Sequence, residues 1–443
     1  MGRRGVLLGL LGFIGFAALI FLAYAWEPEL PPTDPPHRQA FPAADIEHGA
    51  RLAAIGNCAV CHTRPDGEAN AGGRALETPF GTVHSTNITP DVETGIGSWS
   101  FDAFTRAMRR GVDRNGRHLY PAFPYDHFTL VSETDNRALY AFLMSRNPVR
   151  AQAPANDLMF PLNYRVLIAG WKFLYLKEGE YRPDPSKGME WNRGAYLAEG
   201  LGHCGGCHTP RGGLGAEDRK RHFAGGEAEG WVAYPINEHS PAPVRWTAET
   251  LHFYLRHGWH PEHGISRGPM APVTTNLGVI ADEDVRAIAV YVADRMGDAT
   301  KPHSLPKTHP GNEPSAGKVL FDAACASCHD GSRRLPFGGI DLRLSTAVHA
   351  SDPTNIINVI LQGLPPASGE RSPIMPSYHA VISDEQIVDL LTHMRLAFTN
   401  KPAWPDLPPL VAKQRAKADT MPMYATDGNL SAPARPSERV TSW

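Results

Sequence analysis

The chain has 443 residues and a formal charge of −3, with 43 Lys and Arg against 46 Asp and Glu. Its basic residues are scattered rather than gathered into stripes interleaved with aromatics, which argues against nucleic acid as a partner. The length predicts about three domains rather than one, and all six cysteines fall in Cys-x-x-Cys-His pentapeptides, leaving none for a disulfide, an iron–sulfur cluster or a nucleophile.

After Met1-Gly2-Arg3-Arg4, an uncharged stretch runs from Gly5 to Trp26. As a helix it is long enough to cross a hydrocarbon core of about 30 Å. Positive charge ahead of it holds that end in the cytoplasm, placing the remainder on the periplasmic face of the inner membrane. Ala23-Tyr24-Ala25 matches a small-x-small cleavage pattern, so residues 1–30 are read as a retained anchor with a cleaved signal as the rival.

Residues 40–150 form the first of three repeat units. Gly49 and Leu52 predict a short helix that presents Cys58-Ala59-Val60-Cys61-His62. Two cysteines on one helical turn project their sulfurs to one side, matched to the two vinyl groups of a haem, and the following His falls beneath the iron as proximal ligand. Zinc is the bland alternative for such a donor set. The next loop, Tyr120-Pro121-Ala122-Phe123-Pro124-Tyr125-Asp126-His127, is where a sixth ligand is expected. Phe123 cannot ligate iron, so His127 is the candidate, with Met144, Met108 and His118 as rivals; a second imidazole gives a lower potential than a Met thioether. Ser132 to Met144 has helical spacing, and Ser132 with Asp135 fits a capping signature.

Residues 151–187 read as a linker. The apolar run from Leu158 to Leu176, with Trp171, Phe173, Leu174 and Tyr175, is too short to span a membrane. It suits a membrane surface, a partner subunit, or a linker helix packed between haem domains.

The second unit, residues 188–300, repeats the plan with Gly194 and Leu197, Cys204-Gly205-Gly206-Cys207-His208, and a helix from Ala281 to Met296. Its candidate sixth ligand is Met270, held between Pro269 and Pro272, with His257, His260 and His263 as competitors. A proline-rich linker follows from Lys301 to Pro310.

The third unit, residues 312–400, has Gly317 and Leu320, Cys325-Ala326-Ser327-Cys328-His329, and a helix from Ser383 to Arg395 opened by Ser383 and Gln386. Met375, in Ile374-Met375-Pro376, is its candidate sixth ligand, with His379 as rival. Residues 401–443 read as a Pro-rich C-terminal tail. Aligned on their starts, the three closing helices put Leu139, Ile288 and Leu390, then Leu143, Val292 and Met394, at equivalent places, where each packs against the helix bearing the cysteines.

The fold class expected is therefore mainly α: three tandem class I cytochrome c-like domains with long loops, plus an N-terminal transmembrane helix. Three covalently attached haem c groups supply the apolar mass that lets long loops wrap them.

The stretches Thr86-Asn87-Ile88-Thr89-Pro90-Asp91, Gly95-Ile96-Gly97, Leu119-Tyr120-Pro121-Ala122-Phe123-Pro124-Tyr125 and Gly202-His203-Cys204-Gly205-Gly206-Cys207-His208-Thr209-Pro210-Arg211 resemble the three-haem cytochrome c subunit of bacterial membrane-bound dehydrogenases. That group serves alcohol, gluconate, fructose and aldehyde oxidation. In its alcohol branch the first loop carries a ligating Met where Phe123 stands here. The Phe-containing loop with its following His, and Ala169-Gly170-Trp171-Lys172, look more like cytochromes that accompany molybdenum hydroxylases of aldehydes or N-heterocycles.

The resemblance implies an electron-transfer subunit, not an enzyme on its own. A catalytic dehydrogenase subunit would pass electrons to these haems and on to ubiquinone in the membrane. Molybdopterin with an iron–sulfur subunit is the favoured partner, with pyrroloquinoline quinone (PQQ) or flavin as alternatives. The competing readings are a multihaem peroxidase with one open haem and a cytochrome subunit of a terminal oxidase.

Overall fold

Helix Arg3–Ala25 is about 35 Å long at the usual rise and, among the described residues, is the one helix long and apolar enough to cross a membrane. The computed structural model describes residues 3–297, 315–329, 339–366 and 374–420. The proline-rich stretch 301–310 therefore lies outside the described residues, as does 421–443. The chain divides into two compact units. The first comprises Met1–Arg182, Glu199–His203 and Gly212–Ala216; the second comprises Pro183–Ala198, Cys204–Arg211 and Glu217–Trp443.

In the first unit, helix Ala43–Ile55 leads to the first pentapeptide and helix Glu133–Met144 closes the repeat. The Ser132 hydroxyl accepts the Asp135 amide at 3.2 Å, which satisfies an orphan donor of the first turn. The two helices cross where Gly49 has no side chain: a Cβ there would fall inside the van der Waals envelope of the Ala138 carbonyl. Leu52, Ile55, Leu139 and Leu143 are buried on either side of that crossing. Helix Phe101–Arg110, capped by Ser100, adds Ala103, Phe104, Ala107 and Met108 to the buried set. A three-stranded antiparallel sheet (Ala75–Thr78, Gly81–His84, Asp157–Leu158) completes the unit.

The apolar run from 158 to 176 contains helix Ile168–Tyr175, which packs on the end of the N-terminal helix. Gly170 lies against the Phe21 ring, and Tyr24 meets Phe173 edge to face at 5.8 Å. Ile168, Ala169 and Lys172 are buried, while Phe173 and Leu174 face outward.

The second unit holds two more helix pairs of the same kind. Met189–Glu199 crosses Asp282–Met296 at Gly194 over the Ala287 carbonyl, and Ala316–Ala324 crosses Asp384–Phe398 at Gly317 over the Asp389 carbonyl. Each carbonyl belongs to the residue just before an expected core position, and Ile288, Val292, Leu390 and Met394 are buried as the repeat alignment predicts. The Ser383 capping box is complete: Gln386 N–H donates to Ser383 Oγ at 3.2 Å and Ser383 N–H to Gln386 Oε1 at 2.8 Å.

Two expectations change. The second and third repeats fall in one unit, because the hairpin Gly226–Ala228/Trp231–Ala233 is bonded to helix Thr354–Gln362. Val232 N–H donates to Asn355 Oδ1 at 2.9 Å, and Asn355 Nδ2 returns to the Val232 carbonyl at 2.8 Å. Second, the expected tail at 401–443 is helical over Leu407–Thr420. Pro408 and Pro409 sit in the first turn, where no intrahelical N–H bond is lost, and Leu407 and Val411 join Trp404 in the core of the third repeat.

Candidate haem sites

Each pentapeptide ends in a short helical turn: Cys58–His62, Gly205–His208 and Ala326–His329. All three histidines are fixed alike. His62 Nδ1 donates to the Thr86 carbonyl at 2.6 Å, His208 Nδ1 to the Tyr234 carbonyl at 2.6 Å, and His329 Nδ1 to the Ile340 carbonyl at 2.8 Å. A carbonyl oxygen only accepts, so the proton is on Nδ1 and the lone pair on Nε2, the form that ligates a metal. Burial holds all three below the usual histidine range, against the carbonyl bond that favours the charged form. They are neutral imidazoles.

The acceptors are held by loops that the sequence marks. Thr86 opens the Asn87–Asp91 loop, in which Asn87 Nδ2 donates to the Val149 carbonyl at 2.7 Å. Bonds from Thr94 to its carboxylate hold Asp91 below the usual carboxylate range. Strand Gly81–His84 runs into Thr86, as Trp231–Ala233 runs into Tyr234. In the third repeat, Gly339 stands against the His329 ring, where a Cβ would collide with it.

None of the six cysteines is in a disulfide. Burial, then the neighbouring Cys61, pushes the Cys58 thiol up to about 12; burial, then Cys328, pushes Cys325 up to about 11. Thiols so raised are poor nucleophiles. Two cysteines outside any disulfide and one oriented imidazole in each pentapeptide, three times over, fit covalent haem.

Met375 packs on the same apolar core as Cys325 and Ala326. Reciprocal bonds with Leu364, both 2.8 Å, hold its backbone, and Tyr378 Oη donates to the Ala324 carbonyl at 3.0 Å, tying this loop to the cysteine helix. The rival His379 places Nε2 2.9 Å from the Asp419 carboxylate. Met270 opens helix Met270–Leu277 and is half-buried. Its loop is pinned at Gly268, φ +57°, which lies under the Trp231 ring with no room for a Cβ. Of its competitors, His260 Nδ1 accepts from the Glu262 amide at 3.2 Å and His263 is stacked on Trp246, ring centroids 3.5 Å apart.

His127 is buried in the turn Tyr125–Phe128 and donates Nδ1 to the Glu199 carbonyl at 2.7 Å, the same orientation device as the proximal histidines. Phe123 packs on Phe128, centroids 5.3 Å apart. The rival His118 has both nitrogens engaged: Nε2 donates to the Ala25 carbonyl at 2.8 Å, and Nδ1 accepts from Lys172 Nζ at 3.0 Å. That removes it as an iron ligand. Its partner Lys172 is buried, which nothing in the Ala169–Lys172 stretch signals.

Residues 312–394 match the family described as cytochrome c oxidase, cbb3-type, subunit III. The chain is 45% identical over 420 residues to a nicotinate dehydrogenase subunit of Pseudomonas putida, covering 93% of this chain and 35% of that protein. It is 34% identical over 379 residues to the gluconate 2-dehydrogenase cytochrome c subunit of Pantoea cypripedii, covering 80% of this chain and 86% of that one. The chain belongs to the cytochrome c subunits of dehydrogenase complexes. This cytochrome is also 40% identical over 259 residues to a diheme cytochrome c-type protein of Cereibacter sphaeroides, covering 56% of this chain and 85% of that one. It spans about a third of the length of the nicotinate dehydrogenase relative. As a cytochrome subunit it transfers electrons and is not the catalytic component. The oxidase-type match covers the third repeat alone, whereas the dehydrogenase relatives cover most of the chain.

Proposed function

We propose that the chain carries three haem c groups in series. In this reading Cys58 and Cys61, Cys204 and Cys207, and Cys325 and Cys328 form the thioethers; His62, His208 and His329 are the proximal ligands; and His127, Met270 and Met375 fill the sixth positions. Each repeat is read as one class I cytochrome c-like domain. Bound haem supplies one-electron iron chemistry, and Met ligation raises its potential relative to bis-imidazole ligation. The residues of the chain hold each imidazole neutral and oriented, and keep the sixth side occupied.

The observation that carries this reading is the threefold recurrence of one arrangement: a glycine helix crossing, a cysteine pair, and a His Nδ1–carbonyl bond. The electrons would come from a periplasmic catalytic subunit. The Phe123 loop with its following His127, and Ala169-Gly170-Trp171-Lys172, favour a molybdopterin partner with an iron–sulfur subunit over PQQ or flavin, and the similarity to a nicotinate dehydrogenase component fits a dehydrogenase as that partner. The acceptor would be ubiquinone, with the N-terminal helix retained as the anchor.

Haem content per chain, measured by pyridine haemochrome and by the intact mass of acid-denatured protein, tests the count. Three groups that stay with the polypeptide are expected, and fewer than three overturns the assignment. Co-purification followed by molybdenum, flavin and quinone analysis tests the partner.

A further inference from the structure

At the exit of the N-terminal helix, the first unit has a cavity of about 290 Å³ whose lining includes Tyr24, Glu27, Arg110, His118, Lys172 and Phe173. Two of these residues are titratable and more than nine-tenths buried: Lys172 at 7% exposure and His118 at 6%. Burying an amine costs free energy unless it is hydrogen-bonded. Lys172 Nζ donates to the carbonyls of Arg110 and Gly111, both at 2.6 Å, and to His118 Nδ1 at 3.0 Å. His118 Nε2 in turn donates to the carbonyl of Ala25, the last residue of the apolar helix.

The cavity therefore opens where a spanning helix would leave the bilayer. On its lining Phe173 is 72% exposed and Tyr24 54%, and the exposed Leu174 and Trp26 stand within two residues of them in the chain. Aromatic and aliphatic side chains at that level suit the boundary between headgroups and acyl chains. The inner wall is polar, and it adjoins the loop of the first repeat: Lys172 Nζ lies 5.0 Å from the Tyr125 ring, two residues before His127.

We propose that this cavity binds the headgroup of a membrane quinone, with Lys172 as the proton donor to a quinone oxygen and His118 as the residue that holds the third proton of the amine until the quinone takes its place. The proposal rests on the electron-transfer reading above and gives its acceptor a place. An amphiphile with a polar, two-carbonyl ring and an isoprenoid tail fits a polar wall with exposed aromatic side chains beside it.

Reduction adds two electrons, arriving singly from the haem chain, and two protons, one on each carbonyl oxygen, to give the quinol. Lys172 gives up one proton, is recharged from water at the cavity mouth, and gives up a second. Its two short bonds to backbone carbonyls anchor it, and the 3.0 Å bond to His118 is the one a quinone oxygen replaces. Burial brings the Lys172 amine down to about 7, against Glu27, Glu178 and Asp113, which favour its charge, and with Arg110, which opposes it. It thus both holds and loses a proton near neutrality, as a donor must.

The test uses the full haem-loaded cytochrome, in complex with its dehydrogenase, in detergent. A photoreactive azido-ubiquinone is cross-linked and the labelled peptides are mapped by mass spectrometry. Label on residues 169–178 and on Tyr24, displaced by ubiquinone-2, is expected. Label there that phosphatidylglycerol displaces and ubiquinone-2 does not marks a lipid site and overturns the proposal. Absence of label there overturns it also, and if the complex still reduces ubiquinone, the acceptor reading survives without this site. Cavity label with no ubiquinone reduction sinks the acceptor reading instead.

A second measurement separates proton donation from structure. Ubiquinone reduction by the wild type is expected to fall as pH rises through about 7. In Lys172→Gln the rate drops on the order of 100-fold at pH 6, and that limb of the profile disappears. An unchanged limb removes Lys172 from the role.

Discussion

Gly317 lies directly against the backbone carbonyl of Asp389, so the helix that bears the third cysteine pair and the helix that closes the third repeat touch main chain to main chain. Gly49 with Ala138, and Gly194 with Ala287, repeat the contact. Every wider spacing of these helices would pull the cysteine turns from the loops that hold the histidines.

A methyl group at this crossing has nowhere to go. Gly317→Ala is expected to destabilise the third repeat by about 1–3 kcal/mol, the usual range for overpacking. Urea denaturation followed at the haem absorbance reads the loss. A midpoint within error of wild type means that the crossing is looser than described.

Removing one cysteine pair isolates one site. In Cys204→Ala/Cys207→Ala, the acid-denatured chain is expected to retain two haems, with the first and third repeats still loaded. A chain that keeps three would show that this pair does not form the attachment.

Met375 is tested by opening the sixth position. Reduced wild type is expected to bind little carbon monoxide, whereas Met375→Ala gains about one equivalent per chain. Met375→His restores six-coordination and lowers the midpoint of one haem only. Carbon monoxide binding equal in Met375→Ala and wild type assigns the ligand elsewhere.

His263 is expected to contribute to acid sensitivity. It is buried against Trp246, both ring nitrogens lack a hydrogen-bond partner among the described residues, and burial, then the neighbouring His260, brings it down to about 3. Unfolded, it titrates near 6.5, so between those values the unfolded chain holds the extra proton and stability rises with pH. Its contribution is whole above about 6.5 and is lost as pH falls through that window toward 3. His263→Phe, which keeps the stack, is expected to flatten the pH dependence of the melting temperature there. An unaltered slope places the acid sensitivity in other groups.

The paired helices were legible because their apolar residues recur with helical spacing and because Ser132 and Ser383 announce their starts. The histidine and cysteine positions followed from the pentapeptide. The carbonyls that orient the histidines were not legible, since any backbone group serves and only the fold chooses Thr86, Tyr234 and Ile340. The helix Leu407–Thr420 was hidden by Pro402, Pro408 and Pro409, which signal a break in the middle of a helix but not in its first turn. The union of the second and third repeats rests on Asn355 bonding the main chain at Val232, a pairing 123 residues apart that no local pattern reports. Lys172 escaped notice because a lone lysine in an apolar helix ordinarily turns its amine to water.

Three copies of one docking geometry in a single polypeptide also create a sorting problem during folding. A glycine notch accepts any carbonyl ridge, so the notch alone does not tell cognate partners from those of another repeat. The flanking side chains differ at each crossing. His48 faces Asp135 at the first; Arg193 meets Asp284, Arg286 meets Glu190 and Lys187 meets Asp294 at the second; Phe321 stacks beside His393 and Phe398 at the third. The exposed pairs Arg286–Glu190 and Lys187–Asp294 add little to stability. Their value here is as address labels: a swapped partner would set charge against ring or leave it unanswered, and the chain would sort its helices by what surrounds the notch.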